Sequence, residues 1–516
     1  GKACTNCARV KCKCILRADG NDCERCHRLG KVCKLSAPMK QRGPKRGAAS
    51  RSARLEEKLD DLVALLRAGN LPMAPTQRDH AVRTSVNSDD RVDSPSISLV
   101  STPSSTDDHE DYSEDDASPS QADESLARFR DEMITFTPFI YIDPGIRAVN
   151  VRRTYPFLWL NIMGVTSKAV KTRNSLSLRI RRIIIEKVVA GGERSLDLLF
   201  GLLTFVNWLV RVHLFPMDKQ FASLASQLAV SLIWDMGLQM PPPEHLAHFS
   251  LDVNTQSSRR ERTMEEKRAV LGAFIITSVL SQTFKSADGF RWSPYLDEYL
   301  DHLTKYSTVP QDAVLVRQVK MQLIVTQCRY SSWKIRNLEI PTGWVQSLQL
   351  QLDEIADPAN QTKLSATTQI GLYHYTTLTI REWVMAKSPS PSHEPDLGRY
   401  EMCQRCVHSV KAWLDIFFAM PLHMYASVPY STYSQLCYVV RFLHHMTTTR
   451  DASWSPAAAQ EALDPLDTLD RVIHTFETVA AAFATECPGN VEDQGLSLSI
   501  KKFKALKASW EAELAS

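Results

Sequence analysis

The sequence predicts a small metal-scaffolded head, a short leucine-seam helix, a disordered linker and a large all-α domain. Three observations carry that expectation. Seven of the 12 cysteines fall within the first 33 residues. A stretch dominated by Ser, Thr, Pro and acidic residues follows, with no pattern that would build a core. Beyond it, apolar residues recur at helical spacing over residues 126–516, and strand alternation with hairpin dipeptides is scarce.

A length of 516 residues suits about three domains. Whole-chain charge says little, since 61 basic residues face 58 acidic ones. The distribution is informative. Residues 1–54 hold fifteen Lys and Arg against three acids, so the head is strongly basic and the remainder net negative. Such a head suits a polyanion partner. The chain opens Gly1-Lys2-Ala3 with no apolar run behind its charges, and its longest apolar runs, Leu196 to Val210 and Ala269 to Leu280, are too short for a bilayer span. No membrane association is expected. In a reducing compartment, clustered cysteine reads as metal rather than disulfide.

Residues 1–35 form the first region and read Cys4-x2-Cys7-x6-Cys14-x8-Cys23-x2-Cys26-x6-Cys33, one C-x2-C-x6-C unit stated twice. A C-x2-C turn aims two thiolates at one metal, and six further residues return a third. Each half thus offers three sulfurs to a Zn(II) that takes four in a tetrahedron. Two metals need eight positions and six cysteines fill six, so the deficit closes if two thiolates each bridge both metals. Cys4 and Cys23, the leading positions of the halves, are the bridging pair that respects the repeat. The expected cofactor is Zn(II), two per chain. Cys12 lies off the repeat's phase and reads as a free thiol; His27 has no second His in register to make a His-ligated finger.

This head resembles the fungal Zn2Cys6 binuclear-cluster transcription factors, with two short helices around two Zn. The resemblance covers residues 4 to 33 closely. It implies a nuclear, sequence-specific regulator that binds double-stranded DNA at CGG-like triplets. The reading lysines would be Lys11 and Lys13, donating to guanine O6 and N7 in the major groove. Arg9, Arg17 and Lys34 would neutralise phosphates, which positions the module without reading sequence. Ala8 and Val10 depart from the family habit of basic residues there, and the Ile15 to Asp22 loop turns on Gly20 and Asn21 where proline is frequent.

Residues 36–54 are a Gly/Pro/basic linker, fit for nuclear import or further phosphate contacts. In residues 55–69, Leu55, Leu59, Leu62 and Leu66 make one apolar seam ending at Gly69-Asn70. The seam suits a coiled-coil homodimer in preference to a helix packed on its own chain, although twelve residues make a weak coiled coil. Residues 70–125 are expected to be disordered; Asp107 to Glu124 holds nine acids and no Lys or Arg, a solvated spacer or a contact for transcription coactivators.

Residues 126–516 resemble, more loosely, the fungal-specific all-helical regulatory region. Leu176, Ile180, Ile183, Ile184 and Val188 share a helix face, as do Phe221, Leu224, Leu228, Leu232 and Ile233. Gly191-Gly192 should end one helix and Ser195 cap the next. Trp159, Trp208 and Trp234 read as core. Cys403-x2-Cys406 near His408 reads as one face of a helix rather than a metal or redox pair. The sequence contains no G-x-S-x-G, H-E-x-x-H or P-loop motif, so an enzyme is not expected. Regulation of a metabolic or biosynthetic gene cluster follows from family habit alone.

Overall fold

A computed structural model of the chain describes residues 4, 6–7, 13–17, 22–34, 118–209, 219–239, 261–285, 288–334, 342–356, 363–385, 396–449, 453–486 and 494–514. The chain divides into two compact units, Gly1–Ile97 and Ser98–Ser516. Among the described residues the only β pairing is an isolated antiparallel bridge between Leu16 and Cys23. The seam leucines 55, 59, 62 and 66, the basic linker and the stretch 70–117 lie outside the described residues.

In the first unit, helix α1 spans Glu24–Arg28, and its N-cap is Cys23, whose sulfur accepts from the Cys26 backbone N–H. Gly30 ends the helix with φ 60°, the left-handed conformation that costs glycine nothing. There the Lys31 N–H reaches the Cys26 carbonyl at 2.9 Å and the Gly30 N–H reaches that of His27 at 3.2 Å, a Schellman closure.

The second unit opens with α2 (Pro119–Arg128), continued by a π turn, Phe129–Met133, and a 3-10 turn, Ile134–Phe136. This corrects the boundary at 126, because helix begins within the stretch expected to be disordered. Ser118 and Gln121 form a reciprocal capping box ahead of Pro119 at the first helical position. Asp123 then accepts from the Ala148 N–H at 2.8 Å and from Arg147 at 3.0 Å, tying α2 to the start of α3 (Ala148–Thr154).

Helix α4 (Pro156–Thr166) crosses α6 (Leu196–Asn207) closely. A Cβ on Gly201 would stand 2.2 Å from Phe157 Cδ1, so only glycine permits the crossing. Asp197, the polar interruption of an apolar run, supplies what the first turn of α4 lacks: it accepts from the N–H groups of Phe157 at 2.9 Å and Leu158 at 2.8 Å. Burial pushes its carboxyl up to about 6. Between them, α5 (Val170–Ile183) continues through a π turn, Ile184–Ala190, to Gly191 and the positive-φ Gly192; Ser195 caps α6 by accepting from the Leu198 N–H at 3.2 Å.

Helices α7 (Lys219–Asp235), α8 (Met264–Phe284), α9 (Pro294–Tyr306) and α10 (Pro310–Lys334) complete the first core, which runs from Leu126 to Val319 and takes in Tyr430. The second core, from Val325 to Trp510, is built by α12 (Lys363–Met385), α13 (Leu397–Phe418), α14 (Tyr430–Thr448), α15 (Pro456–Ala462), α16 (Pro465–Glu486) and α17 (Gln494–Leu514). A smaller cluster joins α10 and α12 to α11 (Thr342–Ile355). Helix α10 contributes to all three. The Trp208 indole donates to the Ser427 carbonyl at 2.9 Å, linking the first core to the segment before α14.

Trp159 and Trp208 are core residues, as expected, but Trp234 is 55% exposed, and Leu224, nearer the start of α7, is exposed as well. The buried face of α7 is instead Ala222, Ala225, Ser226 and Ala229 with Leu232 and Ile233. Small residues let α7 approach its neighbours closely, which leaves the large side chains on the outer face. Among the described residues no helix is long and apolar enough to cross a membrane.

Candidate metal centre and nucleic-acid interface

The six repeat cysteines converge. Their sulfurs form two overlapping sets, Cys4, Cys7, Cys14 and Cys23, and Cys4, Cys23, Cys26 and Cys33, with all ligand atoms of a set within 4.8 Å of one another. Cys4 and Cys23 belong to both. Sγ separations are 3.8 Å for Cys4–Cys23, 3.7 Å for Cys4–Cys26 and 3.7 Å for Cys7–Cys23. A tetrahedral Zn(II) with bonds of about 2.3 Å sets its sulfurs about 3.8 Å apart, so the spacing fits that metal.

The backbone obeys the same repeat. The Cys4 N–H donates to Cys14 Sγ at 3.4 Å, and 19 residues on the Cys23 N–H donates to Cys33 Sγ at 3.3 Å. Likewise the Cys7 N–H reaches Cys4 Sγ and the Cys26 N–H reaches Cys23 Sγ, both at 3.4 Å. These last donors lower the two shared thiols: Cys4 falls to about 6 and Cys23 below its usual value. Both backbone donors favour the thiolate form at the two shared positions. Cys4, Cys7, Cys23 and Cys26 are buried, while Cys14 and Cys33 are half-buried at the rim.

One tie between the halves was not anticipated from the sequence. Asn6 Nδ2 donates to the Val32 carbonyl at 3.0 Å and stands 3.7 Å from Cys26 Sγ, so a residue of the first half orients a sulfur of the second. Its only sequence signal is a polar residue inside a C-x2-C turn. The Ile15 to Asp22 loop is closed by the Arg17 N–H on the Asp22 carbonyl at 3.1 Å and the Glu24 N–H on the Ile15 carbonyl at 2.9 Å. Lys13 and Lys34 are exposed and Arg17 half-buried; Arg9, Lys11, Cys12, Gly20 and Asn21 lie outside the described residues.

Elsewhere, Cys403 and Cys406 are fully buried in the second core, and burial pushes the Cys406 thiol up to about 12. Among the described residues neither belongs to a metal-spaced group, and His408 stacks edge-on with His374 at 6.1 Å. They fill a helix face, as their spacing suggested.

Comparison with known proteins places the chain in a family. The family model described as the WAR1 C-terminal domain matches residues 105–443, and a second, described as a C-terminal domain, matches residues 422–516. "Transcription factor opdL" of Penicillium oxalicum is 28% identical over all of this chain and 90% of its own length. A "Transcription factor" of Aspergillus terreus is 22% identical over 94% of this chain and 84% of its own length. "Transcription factor himD" of Aspergillus japonicus is 27% identical over 62% of this chain and 51% of its own length. No solved structure matches. With a family model covering more than half its length and a cysteine head that fits the zinc-cluster pattern, the chain belongs to the fungal transcription factors that carry the WAR1 C-terminal domain.

Proposed function

We propose that the chain is a nuclear, sequence-specific DNA-binding regulator whose residues 1–35 hold two Zn(II) through Cys4, Cys7, Cys14, Cys23, Cys26 and Cys33, with Cys4 and Cys23 shared. The observation that carries this reading is the pair of four-sulfur sets with those two members in common. Bound zinc supplies the rigidity that a short head cannot draw from a hydrophobic core. The chain's own residues do the rest. Lys11 and Lys13 present ammonium groups to guanine O6 and N7 at CGG-like half-sites, and Arg9, Arg17 and Lys34 sit against phosphates. The linker 36–54 serves nuclear import or further phosphate contacts, the seam of Leu55, Leu59, Leu62 and Leu66 in 55–69 joins two copies, residues 70–117 space the head from the rest, and the helical region from Ser118 onward sets the output. A metabolic or biosynthetic gene cluster is the target class.

Selection of bound sites from random duplex DNA with the full chain, alongside zinc analysis, tests the reading. Lys11→Ala should lose discrimination for the guanine-rich triplet by about 1–3 kcal/mol while zinc stays at two per chain. Lys34→Ala should instead weaken all sequences alike and reduce the salt slope by about 1. An unchanged triplet preference in the Lys11 variant would remove it as the reader.

The tie made by Asn6 has its own consequence. Asn6→Ala should weaken zinc affinity roughly 10- to 100-fold in a competitive chelator titration, as loss of an outer hydrogen bond to a ligand does, with both metals still bound at saturation.

A further inference from the structure

We infer that the outer face of α5 is a docking surface for an acidic amphipathic helix of a partner protein. The helix and its π turn pack Leu176, Ile180, Ile183, Ile184 and Val188 into the first core. A surface helix ordinarily gives its opposite face to polar groups. Here Leu178, Ile185 and Val189 are 56%, 51% and 54% exposed on that outer face. With Arg182 they follow one another at +4, +3 and +4, a single row about 16 Å long. Arg181, beside the row, covers the Phe221 ring at 4.5 Å, and Leu224, one turn beyond Phe221, is 45% exposed. The surface therefore reaches from α5 to α7.

Charge selects the occupant. Residues 170–190 hold six Lys and Arg against the single acid Glu186. A second copy would bring like charge to like charge. Duplex DNA would satisfy the basic residues but set three large apolar side chains against phosphates. Arg182 stands inside the row, between Leu178 and Ile185, exposed and 3.8 Å from Glu186. A lipid surface that buried the row would have to take that guanidinium into its acyl layer. A partner helix need not. It lays apolar side chains on Leu178, Ile185 and Val189 and brings a carboxylate to Arg182, the paired form in which a covered charge is tolerated. The spacing of the row is that of a two-helix seam, so the partner lies along α5 as a helix rather than an extended strand. Binding here does not depend on the head, its zinc or DNA.

Fluorescence anisotropy of the full chain with labelled synthetic peptides of about 18 residues, long enough to be helical, tests this. The first probe lines one side with leucine at intervals of three and four residues and flanks it with glutamate. A second has serine in place of leucine, and a third has lysine in place of glutamate. The first should bind roughly tenfold more tightly than either of the others, since burying one large apolar side chain is worth about that factor. Attraction to the basic head would not separate the leucine probe from the serine probe. Ile185→Gln changes an exposed side chain, so thermal unfolding should not move while affinity for the first probe falls about tenfold. Arg182→Glu should weaken the first probe as well and strengthen the lysine probe, a reversal that no loss of fold produces. Equal binding of the leucine and serine probes, or an Ile185→Gln chain that binds the first probe as the parent does, would overturn the proposal. So would an Ile185→Gln chain that loses instead a dimer, its binding to anionic phospholipid vesicles or its affinity for random duplex DNA.

Discussion

Cys4→Ser should strip both metals from the head, whereas Cys14→Ser should cost only one. The difference follows from membership of the two sulfur sets, since Cys4 stands in both and Cys14 in one. A serine hydroxyl does not ionise near neutral pH, so neither metal can complete its tetrahedron once Cys4 is gone. Structural zinc contributes about 10–16 kcal/mol to small domains that lack a core of their own, so the Cys4 variant should leave the head unfolded and specific DNA binding undetectable. The 19-residue repeat of backbone donors extends the prediction: Cys23→Ser should behave as Cys4→Ser does, and Cys33→Ser as Cys14→Ser. Elemental analysis of the purified variants reads the outcome. A Cys4→Ser chain that keeps one zinc and its specific binding would show that Cys4 serves a single metal.

Why this site was legible and other features were not has a physical cause. Convergence of the six sulfurs depends on short covalent spacing, which the sequence states outright in its two C-x2-C-x6-C units. Helices were legible for a related reason, because period and caps are local: Ser195 and Gly191-Gly192 act where their residue types suggested. What escaped depends on distant partners. The first half of α2 is polar and holds few apolar residues, so it reads as solvated until Asp123 is seen to hold the Ala148 N–H. Leu224 and Trp234 share an apolar periodicity with true core residues, and only the tight approach permitted by Ala222, Ala225 and Ala229 decides that they lie outside. Asn6 carries no motif at all. Its significance rests on which atoms face it across the fold.

Breaking the buried ion pair between α8 and α10 should produce the largest single-residue loss of stability in the second unit. Arg268 donates to both carboxylate oxygens of Asp312, at 2.6 and 2.8 Å, and Ser307 Oγ donates to the same carboxylate. Asp312 is fully buried and Arg268 nearly so. Arg268→Met leaves that carboxylate in the interior without its counter-charge, at a cost of about 3–5 kcal/mol. Against the 5–15 kcal/mol by which domains are ordinarily stable, this is a large fraction. Replacing both partners by apolar groups, Arg268→Met with Asp312→Leu, removes the uncompensated charge and should be less destabilised than Arg268→Met alone. Denaturant unfolding of the two variants and the parent chain measures the ordering. If the double variant is the weakest and the losses simply add, the pair contributes as two independent side chains.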